Sequence, residues 1–261
     1  MKNTIKTGII VAILIVLFAG CANQIPVVTP IVIPQTVTIE PNQTLTKTLI
    51  PTNPPVMTAT MLPTTSLPAE KDGTLALVYL QDLSNIGSRV LASTGHQQAI
   101  DFLTNTLLDM GYSPEKQPFK TRDGFDAVNI IATKPGKSDR VIIAGGHFDT
   151  VNISSGVDDN GSGIAVLLET AKRVKDMETP YTIRFVFFDA EETGLEGSFF
   201  YVSKMLPQEI ENTVAMINLD SLAAGDYTYI YGNEGEAGVI RDWALAYAQG
   251  KNFYLITSPG K

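Results

Sequence analysis

The sequence is poor in cysteine, histidine and basic residues. A single cysteine, Cys21, occurs among 261 residues, so neither an intrachain disulfide nor a cysteine-based zinc site can form. There are two histidines, His96 and His147, which limits any histidine-rich metal site. Aspartate and glutamate outnumber lysine and arginine by 27 to 19, and the resulting net charge of -8 argues against a nucleic-acid-binding surface.

Residues 1–21 have the pattern of an export signal. Lys2 and Lys6 give a positive start, an apolar run extends from Gly8 to Phe18, and small residues precede Cys21. The run is shorter than the roughly 20 residues that a membrane-spanning helix needs. The string LFAGC resembles a bacterial lipobox, in which the cysteine becomes the lipidated N-terminus, and implies a membrane-anchored lipoprotein on the extracytoplasmic side. A short uncleaved anchor and an ordinary secretion signal with an incidental cysteine are the alternatives.

Residues 22–71 are rich in proline and threonine and carry few charges. Such a segment cannot bury enough apolar surface to offset the entropy lost on ordering. We interpret it as a disordered tether that holds the following domain off a membrane. A β-rich module that includes Val27–Ile39 is the alternative, and it is disfavoured because prolines interrupt every run.

From residue 72 onward the composition is that of a globular domain in which helices and strands alternate. Helical spacing predicts helices over Leu75–Leu83, Gln97–Met110 and Gly163–Lys175. Apolar runs rich in β-forming residues predict strands over Val128–Thr133, Val141–Ala144, Thr182–Phe188 and Val214–Leu219. This alternation predicts an α/β fold with a mixed, mostly parallel sheet and helices on both faces, in which ligands lie at the carboxyl ends of the strands.

Acidic residues and one histidine follow three of the predicted strands, and two more acids lie in a glycine-rich turn, GVDDNGSG, that opens a helix. The residues after strands are His147 and Asp149, Glu191 and Glu192, and Asp220; those in the turn are Asp158 and Asp159. Carboxylates gathered at one edge of a sheet repel one another, and a divalent cation removes that penalty. Zinc accepts imidazole and carboxylate ligands, so the pattern favours a zinc site.

Each of these residues also has an ordinary structural interpretation. An acid after a strand is often a turn residue or a helix cap, and Asp158 is a candidate cap for the helix that begins near Gly161. Glu191 and Glu192 could form a solvated helix start, and His147 could be a core histidine. Their joint occurrence at successive strand ends favours a metal site over these separate explanations.

Four segments, GGHFDTV, GVDDNGSG, FFDAEETGLEGS and INLDS, resemble the signature segments of the M28 metallopeptidases, the family of bacterial leucyl-type aminopeptidases. The resemblance runs from about Leu75 to the C-terminus and implies the zinc-exopeptidase fold, which is phosphorylase/hydrolase-like. It also implies that His147, Asp159 and Asp220 bind a first zinc. Asp159 would bridge to a second zinc that Glu192 binds.

The same resemblance implies a hydrolytic mechanism. Asp149 would hydrogen-bond the imidazole of His147 and fix its tautomer, and Glu191 would be the general base toward a zinc-activated water. The implied activity is that of a zinc-dependent exopeptidase acting on peptides, foremost an aminopeptidase. A glutaminyl-cyclase-like enzyme with a single zinc and a non-catalytic binding module on the same scaffold are the alternatives. A serine hydrolase is disfavoured because no Gly-x-Ser-x-Gly segment occurs.

The sequence departs from the family pattern at the second metal site. The family supplies a further histidine downstream of the residue equivalent to Asp220, whereas no histidine follows His147 here. His96 lies at a predicted helix start, before the first strand, and we expect it to be a surface residue. The turn-like ending over residues 258–261 leads us to expect a C-terminally truncated domain, and therefore weak peptide hydrolysis by the 261-residue chain. A genuine protein with one firm metal site and weakened activity is the alternative.

Overall fold

The computed structural model describes residues 73–225, 227–232, 236–251 and 253–257. The predicted export signal, the lipidated Cys21 and the proline-rich tether lie outside these residues and remain predictions. Within the described ranges, the helices are too short or too polar to cross a membrane.

Helices and strands alternate along most of the described part of the chain. The helices are α1 (Thr74–Ile86), α2 (Thr94–Asp109), α3 (Gly163–Val174), α4 (Glu196–Lys204), α5 (Pro207–Asn212) and α6 (Glu236–Gly250). The strands are β1 (Glu115–Lys120), β2 (Asp126–Lys134), β3 (Ser138–His147), β4 (Tyr181–Phe188), β5 (Thr213–Asn218), β6 (Thr228–Tyr229) and β7 (Leu255–Ile256). The predicted helices correspond to α1, α2 and α3 and the predicted strands to β2 through β5, so these predictions are confirmed.

Strands β1 to β5 form one sheet in the order β1-β2-β4-β3-β5. Strand β3 pairs in parallel with β4 and with β5, whereas β2 pairs antiparallel with both β4 and β1. In this register His147 lies opposite Phe188, and Gly145 lies opposite Asn218. The carboxyl ends of β3, β4 and β5 therefore meet at one edge of a mixed α/β sheet, as predicted.

Helices cover both faces of this sheet. Successive side chains of a strand point to opposite faces, and β4 shows this clearly. Phe185 and Phe187 belong to a core built with α1, α2 and α3, whereas Val186 and Phe188 belong to a second core that includes Tyr201 of α4. Each large apolar side chain buried in this way contributes about 1.5–3 kcal/mol by leaving water. The two cores hold the strand ends in fixed positions.

His96 is buried, and the prediction that it is a surface residue was wrong. Its side chain lies in the first turn of α2, where the hydroxyl of Ser93 accepts a hydrogen bond from its backbone N–H at 3.1 Å. The residue is 4% exposed, and Nε2 lies 2.9 Å from both carboxylate oxygens of Asp189. Its ring stacks on Phe148 with 5.7 Å between centroids. Helix starts are commonly solvated, but this one packs against the carboxyl end of β4.

Candidate metal centre

Three carboxylates from separate segments surround one nitrogen of His147. His147 is the last residue of β3 and is 3% exposed. Its Nε2 lies 3.1 Å from Oδ1 of Asp159, 3.7 Å from Oδ1 of Asp220 and 3.9 Å from Oε2 of Glu191. The predicted edge of the sheet thus gathers a histidine and several acids around a single point.

Two overlapping sets of side chains in the described structure could hold a metal ion. One set is His147, Asp159 and Asp220, and the other is His147, Glu191 and Glu192. Within each set the candidate ligand atoms lie within 4.8 Å of one another. These are the residues singled out from the sequence, and an imidazole with carboxylate oxygens is a donor set that zinc accepts. His96 belongs to neither set.

Asp149 faces the other imidazole nitrogen of His147. Its Oδ1 lies 3.5 Å from Nδ1, too far for a full hydrogen bond, and Nδ1 is a buried nitrogen without a hydrogen-bond partner. An imidazole that binds a metal through Nε2 carries its proton on Nδ1, where Asp149 is the acceptor within reach. The unpaired Nδ1 and the acids around Nε2 therefore fit a metal-binding histidine.

Asp149 also holds the turn that carries the two glutamates. Its Oδ1 accepts a hydrogen bond from the backbone N–H of Glu191 at 3.0 Å, and its Oδ2 accepts one from that of Glu192 at 3.1 Å. One buried carboxylate thus connects the end of β3 to the turn after β4. Sequence spacing gave no signal for this contact, because it depends on how β3 and β4 are paired.

Asp158 ties the glycine-rich turn to the segment that follows β5. Its Oδ1 accepts hydrogen bonds from the backbone N–H groups of Ala223 at 2.6 Å and Ala224 at 3.0 Å. The neighbouring Ser162 hydroxyl accepts one from the N–H of Leu222 at 2.7 Å. The N-cap of α3 is Ser162, whose side chain makes no capping hydrogen bond, and the side chain that accepts from the first N–H of α3 is that of Asn160. The interpretation of Asp158 as a helix cap was therefore wrong.

Asn160 holds the same turn against the end of β5. Its side-chain amide donates to the carbonyl of Leu219 at 2.8 Å, and its Oδ1 accepts from the backbone N–H of Gly163 at 3.0 Å. A Cβ atom on Gly163 would lie 2.5 Å from that same carbonyl oxygen of Leu219, so this close approach requires glycine. Asp159 and Asp220 adjoin these two contacts, which bring both acids to His147.

The charges of the centre perturb one another strongly. Burial alone would lower the pKa of His147, but the surrounding carboxylates, Asp149 foremost, outweigh burial and raise that pKa well above its usual value. Burial, reinforced by the charge of Asp159, raises the pKa of Glu192 to about 7. Burial also raises the pKa of Glu191. Positive charge stabilises such a group of carboxylates, and a divalent cation would supply it.

The sequence is similar to one protein family and to several known proteins. The sequence profile of Peptidase family M28 matches residues 129–256. The alkaline phosphatase isozyme conversion protein of Escherichia coli is 30% identical over 202 residues, covering 66% of this chain and 59% of that protein. The probable lipoprotein aminopeptidase LpqL of Mycobacterium tuberculosis is 41% identical over 110 residues, covering 40% of this chain and 22% of that protein. The chain spans less than two thirds of the length of either relative.

Solved structures with the same fold include two kinds of enzyme. BSAP, a zinc aminopeptidase from Bacillus subtilis, aligns with a TM-score of 0.66 and 16% identity over 74% of this chain and 80% of that chain. The glutaminyl cyclase of Porphyromonas gingivalis aligns with a TM-score of 0.61 and 26% identity over 72% of this chain and 75% of that chain. The shared fold does not by itself choose between these two reactions.

Proposed function

The chain belongs to Peptidase family M28, and from that premise we propose that it is a zinc-dependent exopeptidase, foremost an aminopeptidase. The observation that carries the proposal is the convergence of Asp159, Asp220 and Glu191 on Nε2 of His147, within 3.9 Å. His147, Asp159 and Asp220 would hold one zinc ion. Asp159 and Glu192 would contribute to a second.

The adjacent glutamates would have different roles, with Glu191 as the general base and Glu192 as a metal ligand. Zinc held at this site would polarise the scissile carbonyl and lower the pKa of a nearby water. Glu191 is suited to take the proton from the attacking water on Oε2 and to return it to the leaving amine. Asp149 accepts hydrogen bonds from the backbone N–H groups of Glu191 and Glu192, so it orients the base and the neighbouring ligand together.

Two size-conserving variants test the hydrolytic proposal. In the full chain supplied with zinc, Glu191→Gln keeps the size of the side chain but removes the base, so the kcat for release of an N-terminal residue from an aminoacyl anilide should fall about 10²–10⁴-fold. Zinc content measured by elemental analysis should stay as in the parent chain. The control Glu211→Gln changes an exposed glutamate at the end of α5 and should leave kcat unchanged. Equal activity of Glu191→Gln and the parent would instead favour a non-catalytic binding module.

Glutaminyl cyclisation is a second candidate, because the glutaminyl cyclase of P. gingivalis is 26% identical to this chain over the shared fold. A peptide with N-terminal glutamine separates the two activities. Hydrolysis releases free glutamine and a shortened peptide, whereas cyclisation releases ammonia and leaves the peptide at full length. Mass spectrometry of the products distinguishes them, and we expect the shortened peptide.

We also propose that the protein is exported and attached to a membrane through a lipid on Cys21. This proposal is supported by the signal-like pattern of residues 1–21 and by the name of the M. tuberculosis relative, the probable lipoprotein aminopeptidase LpqL. Cells fed a labelled fatty acid should incorporate the label into the parent chain and not into Cys21→Ser. Equal labelling of both chains, or none in the parent, would contradict the anchor.

A further inference from the structure

Arg89 is a fully buried cation near the candidate metal centre, and it is 0% exposed. Its Nε donates to the carbonyl of Phe148 at 2.7 Å, and its Nη2 donates to that of Gly156 at 2.9 Å. Its Nη1 donates to the carbonyls of Gly87 at 3.3 Å and Ser155 at 3.1 Å. Every one of these acceptors is a neutral backbone oxygen, and within the described ranges no carboxylate forms an ion pair with the guanidinium.

These hydrogen bonds clamp both ends of one loop. The loop separates Asp149, which follows Phe148, from the glycine-rich turn that begins at Gly156 and carries Asp159. The backbone N–H of Arg89 adds a further bond, to the hydroxyl of Thr150 in the same loop, at 2.8 Å. Arg89 therefore joins the two stretches of chain that carry these acids.

The loop is packed directly against the guanidinium. Gly156 has a φ of 62°, in the left-handed region that favours glycine. A Cβ atom at this position would meet both the guanidinium of Arg89 and the methyl group of Thr150. The loop thus follows the shape of the arginine and leaves no room for another side chain.

The charge of Arg89 is balanced by groups that it does not touch. A buried charge is costly unless other charges compensate it. Burial lowers the pKa of Arg89 to about 10, and the charges of Asp149 and Asp159 oppose that effect. Asp149 and Asp159 therefore favour the charged guanidinium without forming an ion pair with it.

We propose that Arg89 is a positioning residue of the metal centre. Its planar guanidinium fixes the end of β3 and the start of the glycine-rich turn in one arrangement, so that His147, Asp149 and Asp159 are held in place before a metal binds. Lysine cannot reproduce this, because its single ammonium group does not offer a fork of donors to several carbonyls. The role in catalysis rests on the proposed function, whereas the role in metal binding does not.

The test compares zinc affinity, stability and kinetics in the full chain. Arg89→Met and Arg89→Lys should each bind zinc about 10–100-fold more weakly in competition with a chromophoric chelator, as expected when groups that orient ligands are lost. Their kcat should fall more than their KM changes. In Arg89→Ala, millimolar guanidinium should restore zinc affinity, and the same concentration of urea, which is planar but uncharged, should restore less.

The matched control is Arg184→Met. Arg184 is a partly buried arginine in the first half of β4, where it donates to the hydroxyl of Tyr201 and the carboxylate of Glu209. This variant should lose thermal stability and keep the zinc affinity of the parent. The comparison separates a general cost of removing an inner arginine from a specific effect on the metal centre.

Parental zinc affinity in folded Arg89→Lys and Arg89→Met would overturn the proposal. Failure of both variants to fold even with zinc present would overturn it too, because Arg89 would then determine the whole fold rather than the centre. A parent chain that binds zinc but neither hydrolyses nor cyclises peptides would refute the proposed function alone, since the zinc-affinity comparison would still stand.

Discussion

Asp149 lies between two halves of the candidate metal centre, namely His147 at the end of β3 and the turn that carries Glu191 and Glu192. It faces Nδ1 of His147 and accepts from the backbone N–H groups of Glu191 and Glu192. Oδ1 accepts from Glu191 and also faces Nδ1, while Oδ2 accepts from Glu192. An amide cannot accept both backbone hydrogen bonds, because its nitrogen only donates.

Asp149→Asn should consequently disturb both halves at once. We expect zinc affinity to fall about 10–100-fold, because the partner of the ligand imidazole is altered, and kcat to fall at least as much. A chelator-competition titration and steady-state kinetics measure these two effects. Asp126→Asn, which removes an exposed partner of Lys120, is the control and should change neither. Unaltered zinc affinity in Asp149→Asn would contradict its orienting role.

His96 and Asp189 form a buried hydrogen-bonded pair, and its loss should lower the free energy of unfolding. Asp189 is 0% exposed, and its carboxylate also accepts from the backbone N–H groups of Val128 at 2.8 Å and Ala190 at 2.9 Å. His96→Phe keeps the stacking on Phe148 but leaves the carboxylate without its side-chain partner. We expect the free energy of unfolding to fall by about 3 kcal/mol, near the lower end for broken buried pairs.

Urea denaturation of the parent, both single variants and the double variant measures this effect. If the two side chains interact, His96→Phe should cost less in an Asp189→Asn background than in the parent. Additive effects of the two substitutions would show that the pair contributes no coupling energy.

Residue-scale features differ in how far the sequence predicts them. Glu191, Glu192 and Asp220 were predicted because each follows a strand, and Asp159 because it lies in the glycine-rich turn that opens a helix. Parallel strands in register bring the residues at their carboxyl ends together. The burial of His96 and the clamp of Arg89 were not found, because their contacts join residues 93 and 59 positions apart. Pattern and spacing carry no signal for contacts that exist only after helices pack on the sheet.

At the scale of helices and strands, the elements with a strong pattern of apolar residues are the ones that the sequence predicts. Helices α2 and α3 bury a stripe of apolar residues, and β2 to β5 are apolar runs, so all were predicted. Strand β1 was not, because Phe119 is its only buried residue in a mostly exposed pattern. Helix α4 buries only Gly197 and Tyr201 and starts after Leu195 in a left-handed conformation, so its sequence lacks a helical stripe.

Helices α1 and α3 are joined by one acid, Glu169 of α3. Its carboxylate accepts from the backbone N–H groups of Gly73 at 2.9 Å and Ala76 at 2.7 Å, at the start of α1, and from Nε of Arg173 at 2.6 Å. Burial opposes ionisation, but these hydrogen bonds outweigh burial and hold the pKa of Glu169 below its usual value. The ionised form is therefore the one that stabilises the contact between the helices.

Glu169→Gln should lower the free energy of unfolding by about 1.5–3 kcal/mol at pH 7, the usual worth of hydrogen bonds to a charged group. Because the folded pKa is depressed, this contribution is present above the unfolded value of about 4.3 and is lost as the pH falls through the folded pKa. The difference between parent and variant should accordingly shrink in acid. Denaturant titrations at several pH values measure it, with Glu211→Gln as a control. A constant difference across the range would contradict the ionic contribution.

At the scale of the whole domain, the candidate centre lies where three distant stretches of chain meet. His147 ends β3, Asp159 lies in the turn before α3, and Asp220 follows β5. A metal ion bound there would link elements that otherwise touch through the sheet and a few turn contacts. It would also relieve repulsion among acids in a chain whose net charge is already -8. Metal binding and folding should therefore be coupled.

Zinc should raise the thermal midpoint of unfolding, and a chelator should lower it again. A ligand that binds only the folded state at 100 times its Kd contributes about 2.7 kcal/mol, which for a domain of this size corresponds to roughly 5–10 °C. Calorimetry of the full chain with zinc, and with excess chelator, measures the shift. A His147→Ala, Asp220→Asn double variant lacks two of the proposed ligands and should show no response to either addition. A parent chain whose midpoint is indifferent to zinc would contradict the metal centre, because ligands on three separate segments cannot share an ion without stabilising the fold that brings them together.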